Sequence, residues 1–154
     1  MPDSVIKVEG LTKRFANVVA VDGVNFSVAR GVTTGLLGGN GAGKTTTLGM
    51  LLGLIVPSAG AVTILGEDML RHRHRVLPRL NFSSPYVDFP NRLRVRENLM
   101  VFAQLYGIRR ADARIRALAR DLDLETLLEQ KTGGLSSGQK TRVSLAKALI
   151  NEPE

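Results

Sequence analysis

The run Gly38-Gly39-Asn40-Gly41-Ala42-Gly43-Lys44-Thr45-Thr46 constrains this chain more than any other stretch of it. It matches G-x-x-x-x-G-K-[ST], a spacing in which glycines let the backbone wrap a polyphosphate while amide N–H groups and a helix N-terminus face the anion. In that pattern Lys44 reaches the terminal phosphates and the Thr45 hydroxyl ligates magnesium. The flanks fit the motif. Val32-Thr33-Thr34-Gly35-Leu36-Leu37 reads as a buried strand entering the loop, and Leu48, Leu51, Leu52 and Ile55 follow at helical spacing. A strand, loop and helix in that order call for an α/β fold that binds a nucleotide. Gly49 and Gly53 fall within the expected helix, where each costs about 1 kcal/mol relative to Ala, and they read as positions of close packing on a sheet.

Composition narrows the remaining classes. The 154 residues are 44% hydrophobic and 23% charged, ordinary for a globular domain with a real core. The longest apolar run, Met50 to Val56, is far short of a membrane helix, and Met1-Pro2-Asp3-Ser4 lacks a basic region leading into an apolar stretch, so a cytoplasmic location is expected. With no cysteine, disulfides, thiolate metal sites and cysteine nucleophiles are excluded, and any metal is oxygen-ligated. The net charge of +7 points to an anionic partner: a nucleotide, a nucleic acid or an anionic membrane face.

The first third is strand-rich, with strands expected over Val5 to Val8, Val24 to Val28 and Val32 to Leu37, then over Gly60 to Gly66 and Leu80 to Ser83. From Val95 the period becomes helical. Val95, Leu99, Phe102 and Tyr106 share a face that Gly107 ends, and Ala111, Ile115, Leu118 and Leu122 make a second helix. Glu125 to Glu129 adds a short turn before Gly133-Gly134. A last helix runs from about Ser137 to Leu149, with Val143, Ala146 and Ile150 facing inward and Lys140, Ser144 and Lys147 on a wet stripe. Ser136 followed by Gln139 has the form of a capping box at its start.

Leu135-Ser136-Ser137-Gly138-Gln139 resembles the LSGGQ signature of ATP-binding-cassette ATPases, with Ser137 in place of a glycine. Beside the phosphate loop it marks the chain as similar to that family. The likeness runs from Val8-Glu9-Gly10-Leu11-Thr12-Lys13-Arg14-Phe15 through Leu93-Arg94-Val95-Arg96-Glu97-Asn98-Leu99 to Arg142-Val143-Ser144-Leu145-Ala146-Lys147-Ala148-Leu149, and it looks most like an exporter-type subunit. The resemblance implies a P-loop nucleotide-binding domain with an N-terminal antiparallel β part and an inserted helical subdomain. Its parts would be an ATP-binding core over 1–83, the helical subdomain over 84–134 and a signature helix over 135–150. It implies ATP and Mg2+ as ligands, contacted by Gly38 to Thr46. Ser136, Ser137, Gly138 and Gln139 would bind the γ-phosphate of ATP held by an opposing subunit. Lys44, Ser136 and Gly138 would act in catalysis, and Thr45 would be the metal ligand.

The implied partners are a second copy of the subunit and a transmembrane permease, on whose cytoplasmic side the chain would sit without binding nucleic acid directly. Phe15 stands where the family stacks an aromatic ring on adenine; alternatively it is a core aromatic. Three departures follow. The family's magnesium-binding aspartate, catalytic glutamate and switch histidine come after a sequence like Asn151-Glu152-Pro153-Glu154, so these 154 residues alone are expected to bind ATP without hydrolysing it. Gly39 occupies a position usually held by Pro or another residue. Asn81-Phe82-Ser83-Ser84-Pro85-Tyr86 stands in the place of the family's glutamine loop without a glutamine, and either Ser84 or Pro85 aligns with it.

Weaker features stay open at this level. The arginines between positions 71 and 120 form a solvated basic face, or those at 92, 94 and 96 receive the permease. Asp112 and Arg116 at i,i+4 read as helix support worth ~0.3 kcal/mol. His72 and His74 lack nearby carboxylates in sequence and do not read as a metal pair. A cassette ATPase acting on nucleic acid or ribosomes is the rival function. The interval from Lys44 to Leu135 leaves no room for the long coiled coil of chromosome-maintenance ATPases. A non-catalytic nucleotide-binding fragment is the third possibility.

Overall fold

The structure, a computed structural model, describes residues 4–84 and 89–154. The chain forms two compact units, Met1–Leu77 and Pro78–Glu154.

The first unit is built on an antiparallel sheet in the order β2-β1-β3-β4. Strands β1 (Ser4–Phe15) and β2 (Val18–Ala29) pair across a tight turn, with Lys7 opposite Ser27 and Phe15 opposite Val18. Both are longer than the sequence suggests, because Gly10 and Gly23 do not end strands. They lie where the β1–β2 register shifts, at φ 57° and 58°, and their N–H groups donate to Asn25 Oδ1 and Thr12 Oγ1 at 2.8 and 3.0 Å. Side chains thus satisfy the donors that an irregular ladder leaves over. Strand β3 (Ala59–Ile64) pairs with β1, Val8 against Val62, and a two-residue turn through Leu65 and Gly66, both at positive φ, leads into β4 (Glu67–Asp68). Val8, Leu11, Val21, Val62, Ile64, Met50, Met69 and Val76 are buried.

Two strand expectations fail. Residues 32–37 form no strand and are exposed, Leu37 at 92%, because among the described residues no neighbouring strand offers them a ladder. Leu80 to Ser83 is likewise irregular. Helix α1 (Lys44–Leu51) follows the glycine loop and is shorter than its apolar spacing suggested; Thr47, Gly49 and Met50 are its buried residues. Gly53 lies past its end, at φ 66°. There its N–H donates to Met50 O while that of Leu54 donates to Gly49 O, which satisfies two orphan carbonyls. Gly49 is the position of close approach, for a Cβ there would lie 2.7 Å from Ile55 Cδ1, a neighbour in the following turn. A single helical turn, α2 (Arg73–Val76), completes this unit.

The second unit packs helices α3 (Val95–Leu105), α4 (Ala111–Asp121) and α5 (Ser137–Ala148) around Val95, Leu99, Ala103, Ile115, Leu118, Val143, Ala146 and Ile150, all at most 3% exposed. Gly107 ends α3 as expected. Asp123, at φ 52°, ends α4 with the same pair of backbone bonds, a stop the sequence hides because it is not a glycine. The expected wet stripe on α5 is only partly wet: the Lys147 amine lies 5.2 Å from the Phe102 ring centroid and donates to Phe82 O at 3.0 Å. Burial holds its pKa below the ordinary lysine value.

Candidate functional site

The phosphate loop spans the exposed residues before α1, and its shape is set by glycine. Gly41 and Gly43 have φ of 82° and 81°, and a Cβ on Gly43 would lie 2.3 Å from Ala20 O, so β2 approaches the loop as closely as a backbone can. Gly43 is the N-cap of α1, with no side chain over the helix end. The first N–H groups of the helix therefore face outward unpaired by the helix itself. Lys44 folds back over the loop, its Nζ donating to Gly38 O and Gly39 O at 2.7 Å each. An ammonium carries three donors, so one is left for an anion in the loop. Thr45 is exposed on the first turn and Thr46 is half-buried beside it. A concavity of about 390 Å³ adjoins the loop, lined by Val19, Asp22, Leu36, Leu37, Ala42 and Lys44 among others. The donor set suits a polyphosphate, and an exposed hydroxyl on the first helical turn suits a hard cation bridging to it.

Phe15 ends β1 at 47% exposure, with the Lys13 amine 4.9 Å from its ring centroid. It is not a core aromatic. The second unit, Pro78–Glu154, carries the second expected site. Ser136 caps α5: its Oγ accepts from Gln139 N at 3.3 Å, and Gln139 Oε1 accepts from Ser136 N at 2.8 Å, so the expected capping box is present. Ser137 and Gly138 are exposed, and a Cβ on Gly138 would meet nothing within 4 Å. Their amides open to solvent at a helix N-terminus.

What holds that turn in place carries no motif of its own in the sequence. Thr132, fully buried, donates from Oγ1 to Leu93 O at 3.0 Å and accepts from Asn98 Nδ2 at 2.7 Å. Thr132 N also donates to Leu93 O, and Gly133 N to Asn91 O. A Cβ on Gly133 would lie 3.0 Å from Asn91 O, which explains the small residue. Asn98 was findable, as an amide beside Leu99 on the inward face of a helix. The far end of α5 is closed by Arg114, which donates to Leu149 O and Ile150 O at 2.6 and 3.3 Å. A cation there complements the helix dipole, so Arg114 does not belong to a solvated basic face.

The ion pairs differ from the sequence expectation in several places. Asp112 feels the charge of Arg116, as the i,i+4 spacing suggests, but its hydrogen bonds come from another helix: it accepts from Arg96 Nη2 at 2.5 Å and Nε at 3.2 Å. Arg94 pairs with Glu129 at 2.6 Å. Arg94, Arg96, Glu97, Met100 and Glu129 line a concavity of about 360 Å³, so the basic segment presents paired charges of both signs. His72 does have a carboxylate, Glu67, 3.2 Å from its Nδ1. Among the described residues no three His, Cys, Asp or Glu side chains gather as a metal site. Of the glutamine-loop segment, Asn81 to Ser84 are described, and Pro85 and Tyr86 lie outside the described residues. Among the described residues no helix is long and apolar enough to cross a membrane.

Comparison with known proteins places these features in company. Residues 21–154 match the family described as ABC transporter. The chain is 40% identical over 152 residues to the Nod factor export ATP-binding protein I of Ralstonia nicotianae, covering 97% of this chain and 47% of that protein. It is 41% identical over 162 residues to the protein of the same name from Burkholderia lata, covering 100% and 51%. The chain thus spans about half the length of the curated relatives it matches. Among solved structures, an ATP-binding subunit of an ABC transporter superposes with a TM-score of 0.83 at 28% identity, over 97% of this chain and 63% of that one. The cbiO1 protein of Clostridium perfringens, part of the ABC transporter complex cbiONQ, superposes with a TM-score of 0.85 at 26% identity, over 98% and 63%.

Proposed function

This chain belongs to the ABC transporter family, and on that footing we propose that it is the ATP-binding part of a membrane exporter, working as a dimer against a transmembrane permease. The observation that carries the reading is the pairing, in one chain, of a glycine-cradled loop closed by Lys44 with a second helix N-terminus opened by the Ser136–Gln139 capping box. Both present amides to an anion, and neither buries them. The direction, export, rests on the relatives' name.

In this reading Gly38 to Thr46 wrap the phosphates of ATP, and the Lys44 ammonium exchanges its loop carbonyls for β- and γ-phosphate oxygens. Phe15, half exposed at the end of β1, stacks on adenine. Thr45 is the residue that would hold magnesium, which when bound would neutralise charge on the phosphates. Ser136, Ser137, Gly138 and Gln139 offer amides and hydroxyls to the γ-phosphate held by the opposing copy. A polypeptide of these 154 residues alone binds ATP without turning it over, because the residues assigned here contact phosphate and none polarises water.

The test is titration of the full-length protein with a fluorescent ATP analogue in magnesium. Lys44→Ala removes a charge-assisted contact and weakens binding about tenfold or more. Equal affinity for wild type and variant would sink the site assignment, and steady phosphate release by the 154-residue polypeptide, abolished by Lys44→Ala, would show that it hydrolyses ATP after all.

A further inference from the structure

Helix α3 ends in a turn that is pinned from within and carries apolar and basic side chains outside. Gly107, at φ 68°, stops the helix, Tyr106 N and Ile108 N donate to Phe102 O and Ala103 O, and Ile108 and Ala111 pack on the helical core. On the outer side Val101 and Leu105 lie at i,i+4 and Tyr106 follows, at 46%, 75% and 37% exposure. Arg109 and Arg110, both exposed, come next and lead into α4. Single exposed apolar side chains need no explanation, but Val101, Leu105 and Tyr106 with two arginines behind them make a patch. The arginines do not serve the fold. They precede the first turn of α4, the end at which a helix dipole favours an anion, so they cost local stability rather than adding it. The carboxylate in that turn, Asp112, is hydrogen-bonded to Arg96 of α3.

We propose that this α3–α4 corner rests on the anionic face of a phospholipid bilayer, with Val101 and Leu105 entering the interface, the Tyr106 ring at headgroup level and Arg109 and Arg110 on lipid phosphates. The concavity lined by Arg94, Arg96, Glu97, Met100 and Glu129 has the character of a protein-docking surface, a recess with paired charges of both signs. The corner differs in each respect. Its two charges are of one sign and its apolar side chains project, Leu105 most of all, which a fluid anionic surface accepts without a matching pocket. Tyrosine, with an apolar ring and a polar tip, and arginine, with an apolar stem below its charged head, suit the same depth. A patch of this size binds reversibly, so it orients the subunit against the membrane rather than anchoring it.

Co-sedimentation tests this, with full-length protein purified without permease or nucleotide and vesicles of phosphatidylcholine, alone or with about 30% phosphatidylglycerol. Wild type is expected to partition onto the anionic vesicles, to leave them as salt rises and to ignore the neutral ones. Arg109→Gln/Arg110→Gln weakens partition about tenfold or more, and Leu105→Ser about fivefold or more, with thermal midpoints no lower than that of wild type. Arg71→Gln/Arg73→Gln removes as much charge from the other unit and leaves partition within about twofold of wild type. Equal losses in the two double variants would assign the binding to net charge and overturn the proposal, as would wild-type protein that ignores anionic vesicles. Corner variants that keep vesicle binding but fail to co-purify with the permease would overturn it in favour of a protein partner. Each of these outcomes leaves the reading of the ATP site at Lys44 standing.

Discussion

Gly43 and Gly39 are both loop glycines, yet the backbone treats them differently. Gly43 combines a φ of 81° with a phantom Cβ 2.3 Å from Ala20 O and 2.9 Å from Val21 Cγ2, whereas Gly39 has open space and no positive φ. Gly43→Ala is therefore expected to cost about 2 kcal/mol or more from strain and backbone collision, and to weaken ATP binding with it. Gly39→Ala is expected to be neutral or slightly stabilising through the unfolded chain. Urea unfolding of both variants checks this, and equal losses would mean the loop relaxes away from β2. A second residue-scale case is Asn98, a residue 2% exposed whose amide donates to Thr132. Asn98→Ala leaves the Thr132 hydroxyl a partner short under the signature turn and is expected to cost about 1–3 kcal/mol. A loss of that size with no change at the turn, read by hydrogen exchange of 133–138, would show that the turn is held by the backbone bonds alone.

At the scale of elements, α3 and α4 are joined by Arg96 and Asp112, and the pair has a pH signature. The hydrogen bond from the Arg96 side chain, then its charge, lowers the Asp112 carboxyl from its ordinary 3.8, and the same bond raises Arg96. A carboxyl lowered in the folded state contributes stability above its unfolded value, and that contribution is lost as pH falls through the lowered one. Arg96→Gln is thus expected to return the Asp112 titration toward 3.8, with the stabilities of variant and wild type converging in strong acid. An unshifted Asp112 curve, followed by NMR, would mean that the pair does not persist in solution. The sequence concealed this pairing because its partners lie on different helices, while the i,i+4 neighbour Arg116 offered a nearer candidate. Elements defined by local chemistry were legible: the Ser136 capping box, the Gly107 stop, the apolar faces of α3 to α5. Those defined by distant partners were not. Val32 to Leu37 has strand composition but no ladder among the described residues, and Gly10 and Gly23 look like strand ends until the side chains of Asn25 and Thr12 are seen to bridge them.

For the whole molecule, the formal charge of +7 says less than where the charges are matched. Arg94 and Arg96, two of the three arginines that the sequence offers as a permease-docking segment, each pair with a carboxylate and line one concavity with Met100, so a partner helix docking there would meet paired charges and the Met100 side chain. Reversal of one arginine then has two effects, a lost pair within this chain and a changed face toward the partner, and a single variant confounds them. Arg94→Glu sets two carboxylates side by side against Glu129; the double exchange Arg94→Glu/Glu129→Arg restores the pair with its direction inverted. If docking reads the local arrangement of charge, the double variant recovers the thermal midpoint of wild type but not co-purification with the permease, since complementary charge on the partner now meets the wrong sign at each position. Recovery of both would mean that the pair only keeps α3 in place, and that the partner is recognised by shape and by Met100. Exposed pairs of this kind are worth little to stability by themselves, so their larger effect is expected at assembly, where the same groups leave water.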